Sequence, residues 1–170
     1  MSRGGRVQLR VPTAQDAALW TALFDDPEVM RYVGTGEVRD HAYYVDLVAR
    51  QQRLAESTGL CLFSLVTDRG TVGFVGVHPW ERPWGPQGMP EIGWRLGRAH
   101  WGRGYATEGA RAVVGLARRR GLPHLVSMIQ AGNTASAAVA TRLGMTVERE
   151  LVSPEGTRVH QFGLSLAGRR

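Results

Sequence analysis

The sequence predicts a single mixed α/β domain, and three observations carry that expectation. Short alternating or apolar segments read as strands and amphipathic segments read as helices, in the order β-α-α-β-β-β-α-β-α-β-β. Three strands follow one another directly, whereas later strands are separated by helices, so antiparallel hairpins give way to βαβ crossovers. The 170 residues hold no repeat, low-complexity tract or linker, so residues 1–170 read as one domain.

Taken in order, Val7-Gln8-Leu9-Arg10-Val11 alternates like a half-buried strand. Thr13 then caps a helix, with Asp16 at the third position behind it. Ala17, Leu19, Trp20 and Leu23 give that helix an apolar side, and Asp25-Asp26-Pro27 stops it. A second helix runs from about Asp40 to Leu54, with Tyr44, Leu47 and Val48 facing inward. Leu60–Val66 and Thr71–Val77 are strands joined by the turn Asp68-Arg69-Gly70. A loop with Pro79, Pro83, Pro86 and Gly88 leads to a strand over Glu91–Leu96. A glycine-rich turn then feeds a helix over Tyr105–Arg119. Leu125–Ile129 is a strand and Thr134–Leu143 a helix closed by Gly144, followed by strands near Met145–Leu151 and Arg158–Leu164.

Composition narrows the class. Hydrophobic residues make up 43% and charged residues 21%, as in ordinary globular proteins. No apolar run is long enough to span a bilayer, and the charged N-terminus lacks the apolar stretch of a secretory signal. The single cysteine, Cys61, sits among apolar strand residues and has no disulfide partner, so the expectation is a cytoplasmic protein with no membrane association. Net charge is +6, yet all the basic residues are arginine and they are scattered. The one tight run, Arg118-Arg119-Arg120, falls at a helix end, where cations face the dipole favourably. A GC-rich coding sequence accounts for the arginine bias, and nucleic acid is not an expected partner. His41, His78, His100, His124 and His160 are dispersed, so no metal site is expected.

The informative segment runs Glu91-Ile92-Gly93-Trp94-Arg95-Leu96, then Trp101-Gly102-Arg103-Gly104-Tyr105-Ala106-Thr107-Glu108. A helix's first turn exposes unpaired N–H groups and a positive dipole end. Gly102 and Gly104 remove Cβ atoms that would keep an anion from those amides, and Arg103 can add a charged contact. The ligand is therefore a phosphate or pyrophosphate. A dinucleotide fingerprint fails: Thr107 stands where the third glycine belongs, and the next strand ends Met128-Ile129-Gln130 without a carboxylate. A nucleotide-hydrolase phosphate loop fails as well, since the chain has no lysine.

These residues resemble the GNAT N-acetyltransferases, whose coenzyme-A signature is Gln/Arg-x-x-Gly-x-Gly/Ala between a strand and a helix. Trp101 to Ala106 matches it, except that Trp101 replaces Gln or Arg. The variant Glu-Ile-Gly-Trp with Trp-Gly-Arg-Gly-Tyr-Ala-Thr-Glu is similar to the RimJ/RimL-type branch, which acetylates ribosomal-protein N-termini. Asp26-Pro27-Glu28-Val29-Met30, Asn133-x-x-Ser136 and Leu143-Gly144-Met145 fall in the family's order, so the resemblance covers nearly the whole chain.

The resemblance implies a GNAT-like domain with a splayed mixed sheet flanked by helices, and acetyl-CoA as co-substrate. It implies backbone contacts from Trp94, Arg95 and Leu96 to the pantetheine arm, with one strand N–H polarising the thioester carbonyl. Amides of Gly102, Arg103, Gly104, Tyr105, Ala106 and Thr107 would hold the pyrophosphate. Asn133 reads from its own position as a helix N-cap, and the resemblance adds a pantetheine contact. Ser136 would lie near the sulfur as the acid for the leaving thiolate, because Ala140 occupies the position where many relatives carry a tyrosine.

Glu91 is the candidate base, directly or through a water, or else a carboxylate pairing with an arginine such as Arg95. His78 is a weaker candidate base. Glu28, Tyr32, His78 and Trp80 are the candidate acceptor-binding residues, with Asp25, Asp26, Arg31 and Trp84 nearby in sequence. Carboxylates and aromatic faces there suit a cationic amine, while Trp80 and Trp84 equally suit packing of the proline-rich loop. Transfer is expected to be direct, within a ternary complex, because Cys61 lies far from the motifs with no histidine beside it. The branch points to a protein or peptide N-terminal amine as acceptor. An aminoglycoside or polyamine is the alternative, and a non-catalytic CoA-binding regulator a more distant one. A homodimer is the family tendency.

Overall fold

The computed structural model describes residues 5–168. Strand β1 (Gln8–Arg10) leads into helix α1 (Ala14–Phe24), a short helix α2 (Pro27–Met30) and helix α3 (His41–Thr58). Strands β2 (Leu62–Thr67), β3 (Gly70–Pro79) and β4 (Pro90–Leu96) follow. Helix α4 (Tyr105–Arg119), strand β5 (His124–Gln130), helix α5 (Thr134–Arg142) and strands β6 (Thr146–Val152) and β7 (Arg158–Ser165) complete the chain. No helix among the described residues is long and apolar enough to cross a membrane.

The seven strands form one sheet in the order β1-β2-β3-β4-β5-β7-β6. All neighbours are antiparallel except β4 and β5. That parallel joint has a single register pair, Glu91 with Val126, whereas β3 and β4 pair along seven. Beyond Glu91 the two strands diverge, and the sheet splays at its centre.

Local chemistry explains the element boundaries. Thr13 and Asp16 form a reciprocal capping box at the start of α1. Arg10 reaches from β1 to the same Asp16 carboxylate at 2.8 and 3.0 Å, so one buried acid ties strand to helix. Asp25-Asp26-Pro27 ends α1 as the sequence predicts, but Asp26 also accepts the Glu28 N–H and Pro27 opens α2. Asp40 caps α3 and Gly59 closes it. The helix predicted to end at Leu54 continues to Thr58, because Ser57 and Thr58 hydroxyls bond the Leu54 carbonyl and extend the last turn.

Two apolar clusters sandwich the sheet. On one side α4 lays Tyr105, Ala110, Val113, Val114 and Ala117 against Leu65, Val75, Ile92 and Leu125. On the other, Trp20, Phe24, Tyr44, Leu47 and Val48 of α1 and α3 cover Leu62 and Phe74. Phe74 meets Trp20 and Phe24 edge-on at 5.1 and 5.4 Å. Each buried Val, Leu, Ile or Phe among them contributes about 1.5–3 kcal/mol of transfer free energy, so both helical layers are held firmly on either side of the splay.

Candidate active site

Alternation along β4 sorts its side chains. Glu91, Gly93 and Arg95 share the face covered by α1 and α3; Ile92, Trp94 and Leu96 share the face covered by α4 and α5. The splay opens into a cavity of about 340 Å³. Its walls come from Gly93, Trp94 and Arg95 of β4, Ser127 to Gln130 of β5, and Asn133 and Ser136 of α5. Tyr32 to Gly34, His78 to Arg82 with Trp84, and the β6–β7 turn close its other side.

Glu91 stands at the apex of the splay and is 9% exposed. Its Oε2 accepts the Met128 backbone N–H from β5 at 3.3 Å, and its Oε1 lies 3.1 Å from His78 Nε2. His78 and Glu91 are register partners on β3 and β4, which is why the two side chains meet. The alternative pairing of Glu91 with Arg95 does not form. Four residues along one strand separate the Cα atoms by about 13 Å, and Arg95 instead stacks over Phe24 and Phe74.

On the opposite wall, Asn133 caps α5 by accepting the Ser136 N–H at 3.2 Å. Ser136 is half-buried, and its Oγ accepts the Trp94 indole N–H at 3.3 Å. That contact engages the hydroxyl as acceptor and leaves its own O–H free to donate. Sequence reasoning assigned Trp94 only backbone contacts; its indole adds a side-chain role that strand parity could have flagged.

The glycine turn between β4 and α4 falls where the sequence places it. Gly102 and Gly104 hold φ of +71° and +78°, a left-handed conformation that disfavours side chains. A Cβ on Gly102 would meet no atom within 4 Å, so the loop is open above it. Gly104 is the N-cap of α4, and Glu108 N is the first helix amide bonded back, to Gly104 O at 3.0 Å. The amides of Tyr105, Ala106 and Thr107 therefore have no helix carbonyl to bond, an arrangement that can receive an anion. Arg103 is exposed beside them. Arg6 lies over the Tyr105 ring and pairs with Glu108 at 3.0 Å, steadying that first turn. The Leu96 carbonyl accepts the Trp101 indole N–H at 3.0 Å, which ties the loop to the end of β4. This open loop, together with the unpaired β5-side edge of β4, fits a long pyrophosphate-bearing ligand such as coenzyme A.

Of the predicted acceptor-side residues, Tyr32, His78 and Trp80 line the cavity. Trp80 packs against Trp84 at 5.2 Å and donates its indole N–H to the Trp84 carbonyl. Glu28 stands apart on the exposed side of α2, 4.0 Å from Arg31. Sequence reasoning missed Gly93 and the hairpin residues Ser153, Glu155 and Thr157. Strand parity from Glu91 would have found Gly93, whereas nothing local marks the hairpin. No metal-binding cluster occurs among the described residues.

Comparison with known proteins agrees with this geometry. The acetyltransferase (GNAT) domain family matches residues 6–146. The Bacillus subtilis protein YkkB, itself uncharacterized, is 34% identical over 145 residues, 82% of this chain and 81% of its own length. An acetyltransferase from Agrobacterium tumefaciens superposes with a TM-score of 0.77 at 26% identity, covering 95% of this chain and 92% of that one. RimL, a ribosomal-protein alpha-N-acetyltransferase solved with coenzyme A, superposes with a TM-score of 0.80 at 16% identity, covering 95% of both chains. Since the family match takes in most of the length, from the N-terminal segment through the phosphate loop to the start of β6, the chain belongs to the GNAT acetyltransferases.

Proposed function

We propose that the protein transfers the acetyl group of acetyl-CoA directly to a primary amine in the splay cavity, and that the amine is a peptide or protein N-terminus. The observation that carries this reading is the placement of two proton-handling groups on opposite walls of one cavity. Glu91 with His78 stands at the acceptor side, and Ser136 with its free O–H stands at α5.

The chemistry follows from that placement. The amine must lose its proton to attack, and an N-terminal α-amine, with a pKa near ~8, has a larger neutral fraction at pH 7 than a lysine-type amine near ~10. Glu91, directly or through a water, takes the proton while the nitrogen adds to the thioester carbonyl. A backbone N–H of β4 stabilises the oxyanion. The C–S bond breaks as Ser136 donates to the departing sulfur and regains a proton from water, Glu91 returns the amine's proton to solvent, and the products are the amide and the free thiol. Burial raises the Cys61 thiol to about 12, so it does not serve as a covalent relay. The structural likeness to RimL supports the N-terminal acceptor.

Thiol release in the presence of acetyl-CoA tests the reading. Peptides with free N-termini should release thiol, and the same peptides with blocked N-termini should not. Release with spermidine or an aminoglycoside but with no peptide would overturn the N-terminal acceptor.

A further inference from the structure

Arg95 is a cation facing the acceptor side of the cavity without an anion to meet it. Its guanidinium sits over the rings of Phe24 and Phe74, 5.2 and 5.0 Å from their centroids, and donates to Tyr44 Oη at 3.4 Å. Two aromatic faces and one long hydrogen bond leave most of its five N–H donors unmet. Of the cavity's other charged groups, Arg50 pairs with Asp46 and Glu81 and Glu91 with His78; Arg82 stacks over Trp80, and Glu155 is exposed on the β6–β7 turn, neither of them on β4 beside Arg95. Among the described residues no carboxylate pairs with Arg95. Burial pulls its pKa below the ordinary arginine value, and Arg39 adds a like charge nearby. Arg95 is half-buried, so its remaining N–H groups open onto the cavity, where an anion can meet them.

Position shows what that anion would be. Glu91, Gly93 and Arg95 lie in a row on one face of β4. A Cβ on Gly93 would meet no atom within 4 Å, so the floor between the carboxylate and the guanidinium is open. We propose that the acceptor carries a carboxylate near its amine, and that Arg95 binds this carboxylate while the amine reaches across Gly93 to Glu91. The inference rests on the acetyl-transfer reading above and narrows its acceptor. A free α-amino acid and a peptide N-terminus with an acidic residue next to it share this chemistry. Polyamines and aminoglycosides, which offer only positive charge, do not.

Matched acceptor pairs test it by thiol release. In one arm alanine is compared with alaninamide; in the other, a C-terminally amidated peptide beginning Ser-Asp is compared with its Ser-Asn counterpart. In one arm the carboxylate-bearing member should show kcat/KM about tenfold or more above its neutral partner. Arg95→Met should bring that ratio close to one, and Arg95→Lys should keep part of it. The folded fraction of each variant cancels within the ratio, so loss of folding cannot imitate the result. The arm that responds identifies the source of the carboxylate. Equal rates within both pairs, or a preference that survives Arg95→Met, would overturn the assignment and leave the acetyltransferase reading intact. If no acceptor releases thiol, the acetyl-transfer reading is what fails, and thermal unfolding decides the anion site. Succinate should then raise the wild-type Tm above that in sodium chloride of equal ionic strength but not that of Arg95→Met, and no such rise would overturn the proposal.

Discussion

The Trp94 indole N–H donates to Ser136 Oγ across 3.3 Å, joining β4 to α5 where the sheet opens. With one lone pair engaged by Trp94, the serine hydroxyl keeps its own proton free to donate elsewhere, and Ser136 lines the cavity.

Ser136→Ala should therefore lower kcat by about 100-fold, the scale of a lost general acid, while acetyl-CoA still binds. The Trp94 indole loses its acceptor in the same variant, so its fluorescence maximum should shift. Initial-rate kinetics and emission spectra check both outcomes.

Glu91→Gln keeps an oxygen that can accept the Met128 N–H but removes the basic carboxylate. Its kcat should fall by about 100-fold or more, with only a small change in Tm. Glu91→Ala, which also abandons Met128 and His78, should lose comparable activity together with measurable stability.

Asp16 links acid pH to folding. Burial alone would raise its pKa, but hydrogen bonds from Arg10 and the Thr13 backbone outweigh that and hold it below the ordinary carboxylate value of 3.8. A carboxyl depressed on folding stabilises the fold above its unfolded pKa, and the contribution is lost as pH falls through the folded value. Asp16→Asn should cost about 2–3 kcal/mol at neutral pH and flatten the decline in stability below pH 4. Urea unfolding at several pH values measures both.

Cys61 should resist alkylation in the folded protein and react with one equivalent after denaturation. Its thiol rises from 9.0 to about 12 on folding. Between those values the unfolded chain ionises first, so the contribution of Cys61 to stability declines as pH rises.

Particular residues show what the sequence made legible. The bounds of α4 agree with expectation at Tyr105 and Arg119, because glycines before it and an Arg-Gly end after it are local signals. Helix α2 was hidden because Asp26-Pro27 is both a stop for one helix and a start for the next. The Glu91–Arg95 alternative could have been set aside from strand geometry alone, since i and i+4 on a strand lie too far apart. The contact of Glu91 with His78 depends on the β3–β4 register, and its contact with Met128 depends on where the sheet splays. Both are non-local and carry no periodic signature. The aromatic setting of Arg95 likewise arises only when α1 and α3 dock on β3.

The most direct test of the account is calorimetric titration of acetyl-CoA into the wild type and Gly104→Asp. The substitution places a Cβ on a residue at φ +78° and a negative charge on the cradle formed by the α4 amides. Saturable one-to-one binding to the wild type, with none detectable for a folded Gly104→Asp, is the predicted result. Equal binding by both proteins would contradict it and move the pyrophosphate away from the Gly102–Thr107 loop.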